Sequence, residues 1–241
     1  MKLGASLLFL GLMTAAAVPS FAAEEVLVSF TGFDYDIPAP ASPTYLALGD
    51  GYRQVGFATS FHPVFLDPFV DQGAKEYTFY LSNLTVNYYD FTSNVLTVTF
   101  VNGGRDEYFE DASKNARNDP NPPNCPKYGI NPPNADAPSK FTDGTFVLGG
   151  TLSDAYLYYN YTQQSGGFSA GMTVDSGSWW TANYIPIGSA PGWLLSSLMK
   201  PPVVATCPAP LGYDHQVTGE CRQDVTSATH GTWGALKKLY R

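Results

Sequence analysis

The densest set of side chains able to do chemistry in this sequence is acidic. Asp106, Glu107, Glu110 and Asp111 crowd together, and Asp119 follows among several Asn carbonyls. Ca²⁺ takes six to eight hard oxygen ligands in loose geometry, which a carboxylate-rich loop can supply. The spacing fits no EF-hand loop, and the plain alternative is a solvated acidic edge. The same carboxylates raise the question of glycoside hydrolysis, which needs two acids about 5–9 Å apart on one face. The precursor has only six Glu: Glu24, Glu25, Glu76, Glu107, Glu110 and Glu220. Glu107 and Glu110 would face opposite sides of a strand, so this pairing is weak.

A second pattern, Gly167-Phe168-Ser169-Ala170-Gly171, matches the G-x-S-x-G nucleophile motif, with Asp and His residues following it. That chemistry needs the Ser on a sharp strand-to-helix turn above a parallel sheet. Here a Gly-Gly turn and a Thr-rich strand flank it, so the match is read as chance. His62, His215 and His230 are widely spaced and lack a ligand pattern for zinc. No phosphate-cradling loop or dinucleotide fingerprint is present.

Aromatic rings offer another route to a ligand. Tyr156, Tyr158, Trp179 and Trp180 could present flat faces to the pyranose rings of a polysaccharide. In a strand, Tyr156 and Tyr158 share one face while Tyr159 and Tyr161 share the other. One of those faces must line the core, which is the ordinary use of such residues.

The elements that must position these groups are strands. Glu76 to Val101 alternates β-branched and aromatic residues, with Leu96, Val98 and Phe100 on one side of its later half. Asp90 to Asn94 supplies turn residues, so this stretch reads as two central antiparallel strands. Glu25 to Phe30 reads as the first strand, and Thr31 to Thr44 as a loop. Short strands and turn signals recur from there onward. The predicted fold is all-β, an antiparallel two-sheet sandwich of jelly-roll type. Trp193 to Met199 reads as a short helix on its edge. Residues 110–140 form a long loop rich in Asn and Pro, with two copies of Asn-Pro-Pro-Asn. Prolines at that density forbid both helix and central strand.

Residues 1–22 read as an export signal, with Lys2 ahead of an apolar run and a small-x-small site at Ser20-Phe21-Ala22. The expected location is extracellular or at the cell surface, with the periplasm as an alternative, and no run is long enough to span a membrane. The mature chain would carry 12 basic and 21 acidic residues, a net charge of −9. That balance argues against nucleic acid and anionic lipid as partners. A domain over 23–205 is expected, then a disulfide-closed loop and linker over 206–229, then a basic tail over 230–241. The bridge would join Cys207 to Cys221 around a short loop, leaving Cys125 over.

The tail, HGTWGALKKLYR, spaces Trp233, Leu236 and Leu239 as an amphipathic C-terminal helix beside Lys237, Lys238 and Arg241. Its last nine residues resemble the ending of uncharacterised exported bacterial surface proteins that close on Trp-Gly-x-Leu-Lys-x-x-Tyr-Arg. The resemblance implies a shared sorting or attachment tag. Together these features predict a secreted, non-enzymatic structural or interaction protein whose partner is itself, another surface protein or a polysaccharide. A carbohydrate-binding module and a glycoside hydrolase are the alternatives, and Ca²⁺ is compatible with each.

Overall fold

The computed structural model describes residues 24–37, 46–62, 70–116, 139–178, 187–188, 193–200 and 213–224. They form nine strands: β1 (Glu24–Ile37), β2 (Gly51–Phe61), β3 (Glu76–Thr92), β4 (Val95–Phe100), β5 (Arg105–Asp111), β6 (Thr145–Asn160), β7 (Ser165–Gly177), β8 (Trp193–Lys200) and β9 (His215–Asp224). One helical turn, α1 (Ser139–Thr142), precedes β6. The all-β, antiparallel expectation holds. The two-sheet jelly roll does not describe these strands, because they form a single sheet that returns to its own start. β1 pairs with β2, β2 with β3, β6 with β7, β7 with β8, β8 with β9, and β9 with β1.

β4 and β5 share one position in this ring. The later half of β3 pairs with β4 and its earlier half with β5, and both then pair with β6. Nine strands therefore fill eight positions of a closed up-and-down barrel. Sequence neighbours pair directly, without the long returns of a Greek key. The segment expected to be a short helix, Trp193 to Met199, is strand β8. The stretch expected to be loop and linker, 206–229, contains β9, which closes the ring.

Local chemistry explains the central hairpin. Ser93 and Asn94 both adopt positive φ, 54° and 63°, as a two-residue turn matched to strand twist requires. In β4, Leu96, Val98 and Phe100 point inward and are buried, as alternation predicts. β7 does the same with Phe168, Ala170, Met172 and Val174. Aromatic rings meet across the interior: Tyr52 lies 5.6 Å from Phe168 and 5.4 Å from Phe100, and Phe30 lies 4.8 Å from Phe79. The outward positions of β7, by contrast, carry Ser169, Gly171, Thr173 and Asp175. Among the described residues, no helix is long and apolar enough to cross a membrane.

A second apolar cluster sits on the outer wall. Phe33 and Tyr35 of β1 and Val55 and Phe57 of β2 point outward, under Ala116, Phe141 of α1 and Tyr213. The Thr78 hydroxyl donates to the Phe141 carbonyl at 2.7 Å, pinning α1 there. The residues on either side of 117–138 are thus fastened to one patch. The Asn/Pro-rich stretch itself, with Asp119 and Cys125, lies outside the described residues, as do Cys207, Trp179, Trp180 and the tail over 230–241.

Two glycines permit the tight β1–β2 contact. Gly32 and Gly56 are direct partners in the register. A Cβ on Gly56 would fall 2.2 Å from the Thr31 carbonyl oxygen, 2.5 Å from Gly32 Cα and 2.7 Å from the Phe79 ring. Backbone cannot retreat from such a contact without breaking the ladder. Gly56→Val is therefore expected to lower stability by about 3 kcal/mol in urea denaturation, and a loss below about 1 kcal/mol would contradict this packing.

Candidate functional site

Strand alternation places the tyrosines of β6 as the pattern predicts. Leu157 and Tyr159 point inward and are buried, while Tyr156 and Tyr158 stand outward at 38% and 44% exposure. The two outward ring centroids are 6.4 Å apart and the planes differ by 32°. Tyr158 leans over β7, where a Cβ on Gly167 would meet its ring at 2.8 Å. The missing side chain at Gly167 is what lets that ring lie down.

These two rings wall a groove of about 730 Å³ on the outer face of the barrel. Beyond them the described lining comprises Gly166, Gly167, Phe168 and Ser169 of β7, Thr218, Gly219 and Glu220 of β9, Ser29, Phe30 and Thr31 of β1, and Thr59 of β2. By register, Ser196 of β8 lies between Ser169 and Glu220. The groove thus combines two aromatic faces, several hydroxyls and one carboxylate, and Glu220 is paired with Arg222. Its volume lies within the range of small-molecule sites, roughly 300–1,000 Å³. Ser169, the centre of the G-x-S-x-G match, sits in mid-strand and not on a nucleophile turn.

The acidic cluster is dispersed by the same alternation. Asp106 points into the barrel and is fully buried. Glu107 binds Arg105, which also grips Asp175 through both terminal nitrogens at 3.0 and 3.1 Å. Glu110 pairs with Lys75 at 2.9 Å, and Asp111 accepts from the Ser113 amide at 2.8 Å. The described members of the expected Ca²⁺ set, Asp106, Glu107, Glu110 and Asp111, are therefore not brought together, and its fifth member, Asp119, lies outside the described residues. Among the described residues, no three His, Cys, Asp or Glu side chains are placed to hold a metal ion. The expected Cys207–Cys221 bridge is also corrected: Cys221 is a free thiol. It points into the core from β9, opposite Val28, where burial raises its pKa well above the ordinary thiol value.

Sequence reasoning misses a polar site at one end of the barrel interior. Asp34, expected in a loop, lies in β1 and is 1% exposed. It accepts from the His215 amide at 2.6 Å, from Tyr52 Oη at 3.1 Å, and lies 3.2 Å from His215 Nδ1 through each oxygen. Gln54 donates to the same Tyr52 oxygen at 2.8 Å. Asp36, Asp214, Tyr159 and Tyr161 share the small cavity, and the Tyr159 and His215 ring centroids are 4.4 Å apart. Burial first, then Asp34, pushes Asp214 up to about 7. Burial and the neighbouring carboxylates raise Asp36 well above the carboxylate range. Burial would lower His215, but Asp34 and then Asp214 raise it on balance. The even spacing of Asp34 and Asp36 with Phe30 is the available signal, since it puts them on the core face of a strand.

The chain matches no family model, and no curated protein or solved structure is significantly similar to it. What the fold defines is a class: a closed antiparallel barrel with a packed interior and a tyrosine-walled groove across its outer wall.

Asp106 carries a pH prediction. Neither of its oxygens, nor Tyr108 Oη, has a hydrogen-bond partner among the described residues. Burial pushes Asp106 up to about 7, against a smaller opposite influence of Tyr108. A raised folded pKa means stability present below about pH 4 and lost as pH rises toward 7. The stability difference between Asp106→Asn and wild type should therefore move in the variant's favour by on the order of 3 kcal/mol from pH 4 to pH 8. Urea denaturation of both proteins at the two pH values measures it.

Proposed function

We propose that this protein is an exported, non-enzymatic interaction protein that binds polysaccharide through the outer groove. The observation that carries the reading is the pair of adjacent, outward tyrosine rings at Tyr156 and Tyr158. Burial in the core is the usual fate of such side chains, and here Leu157 and Tyr159 already fill the core from the same strand. The exposed faces can stack on the apolar C–H face of a pyranose. The Ser, Thr and Glu220 side chains across the groove can accept from and donate to its hydroxyls. Multiple modest contacts of this kind suit a repeating polymer, whose binding is strengthened by several sugar units in one groove.

The alternatives gain less support. Hydrolysis lacks a carboxylate pair in the groove, because Glu220 is its one described acid. Edge-to-edge assembly needs an unpaired strand, and each strand position in this closed sheet is bonded on both sides. Export remains a proposal founded on residues 1–22, and surface attachment one founded on the tail.

Binding should be measured by affinity electrophoresis against a panel of soluble polysaccharides, followed by calorimetry on any that retard the protein. Tyr156→Ala and Tyr158→Ala are each expected to weaken binding about tenfold, the cost of roughly 1.4 kcal/mol of lost contact. The melting temperature should barely move, since both side chains are outside the core. A panel with no retarded member, or binding indifferent to both substitutions, sinks the proposal.

A further inference from the structure

The buried polar site at the end of the barrel sits on the seam between the first and last strands. Asp34 and His215 are register partners there, and the Asp214 amide donates to the Asp34 carbonyl at 2.9 Å. Thus the final pair of the closing ladder is also an imidazole–carboxylate contact, with the Asp34 carboxylate buried and the His215 ring 21% exposed at the barrel's end. The charged and titratable groups around it come from every neighbouring element. β1 supplies Asp34 and Asp36, β2 supplies Tyr52, and the turn before β2 supplies Asp50. β6 supplies Tyr159 and the turn after it Tyr161, while Asp214 and His215 come from the start of β9.

Three acids crowd one base. Asp34, Asp36 and Asp214 would place three negative charges around one imidazole in a space closed by Leu46, Leu96 and Leu157. Even with His215 protonated, two charges would be left over in a poorly solvated site. Two carboxylates confined together do not both ionise freely. One Asp214 oxygen is buried with no hydrogen-bond partner among the described residues. The cavity, about 20 Å³, has room for about one water and no larger ligand. Protons are the remaining means of neutralising it.

We infer that the Asp34–Asp36–Asp214–His215 cluster is a proton-operated clasp that holds the β1–β9 seam shut in mild acid and releases this end of the barrel as pH rises. Asp34 accepts from Tyr52 Oη and the His215 amide and lies against His215 Nδ1. Asp36 and Asp214 hold protons that they would lose in the unfolded chain. The signs agree across the cluster. A carboxyl whose folded pKa is raised favours the closed state below its unfolded value near 4, and that advantage fades as pH rises. For Asp214 the fading is complete near 7, its folded value. A raised imidazole favours the closed state below about 6.5 and loses that advantage through its folded value. All three therefore loosen the seam in the same direction. The protein is expected to tighten in acid, opposite to the usual loss of paired carboxylates.

Amide hydrogen exchange followed by mass spectrometry, on the full chain from pH 5 to pH 8, tests the clasp locally. After correction for the intrinsic pH dependence of exchange, peptides covering 33–36 and 214–217 should open more readily as pH rises. The expected rise is about tenfold per pH unit for each proton released, within the window just given. Peptides from β3 and β4 should not follow. In Asp36→Asn/Asp214→Asn the rise should largely disappear, and those peptides should be better protected at pH 8 than in wild type. If the double variant does not fold, Asp214→Asn alone should lower the slope by about one proton. A seam whose corrected protection is flat or grows with pH overturns the inference. So does a rise that persists undiminished in the Asn variants.

Discussion

Closure of the sheet is the constraint on which everything else rests. Residues of β1 and β9, separated by nearly the whole described chain, pair from Glu24 with Asp224 to Asp34 with His215. Without that ladder both strands would be edges, with backbone donors and acceptors facing water or another chain. With it, each strand position is bonded on both sides, and an inside and an outside are defined. The inner side can then be filled as a packed core, as small eight-position barrels generally are. Contacts so distant in sequence also make closure a slow step to reach during folding, because chain entropy is lost before the pairing is gained.

Once inside and outside exist, strand alternation distributes the chemistry. Tyr156 and Tyr158 become a wall of an outer groove because Leu157 and Tyr159 go inward. Asp106 enters the core on the same face of β5 as Tyr108, and Cys221 on the same face of β9 as Val217. Asp34 and Asp36 enter with Phe30, and the acidity they bring is met by His215 from the other side of the seam. The apolar filling tolerates these polar groups at a cost. Asp34 is offset by its three donors, whereas Asp106 has none among the described residues and is driven toward its neutral form.

Two kinds of expectation fail, for different reasons. Asp106, Glu107, Glu110 and Asp111 look like one ligand set when read along the chain. In a strand, successive side chains leave on opposite faces, so nearness in sequence separates them in space. Trp193 to Met199 suits a helix by composition, but β7 and β9 offer it two unsatisfied ladders, and that tertiary demand overrides local preference. The short loop between Cys207 and Cys221 favours a bridge when only spacing is considered. As a member of β9, Cys221 is directed instead at the core, facing Tyr108 and Asp106.

Local periodicity determined the all-β class, a turn within Asp90 to Asn94, the shared face of Leu96, Val98 and Phe100, and the shared face of Tyr156 and Tyr158. Each is decided by residues a few positions apart, through the period-2 geometry of a strand. Whether the strands became two packed sheets or one closed ring was decided by pairing between Asp34 and His215, 181 residues apart. The alternation of β1 and of β9 is satisfied equally by either arrangement, so neither strand carries the answer. The groove and the buried acid cluster share that origin: both are assembled from strands that only closure brings side by side.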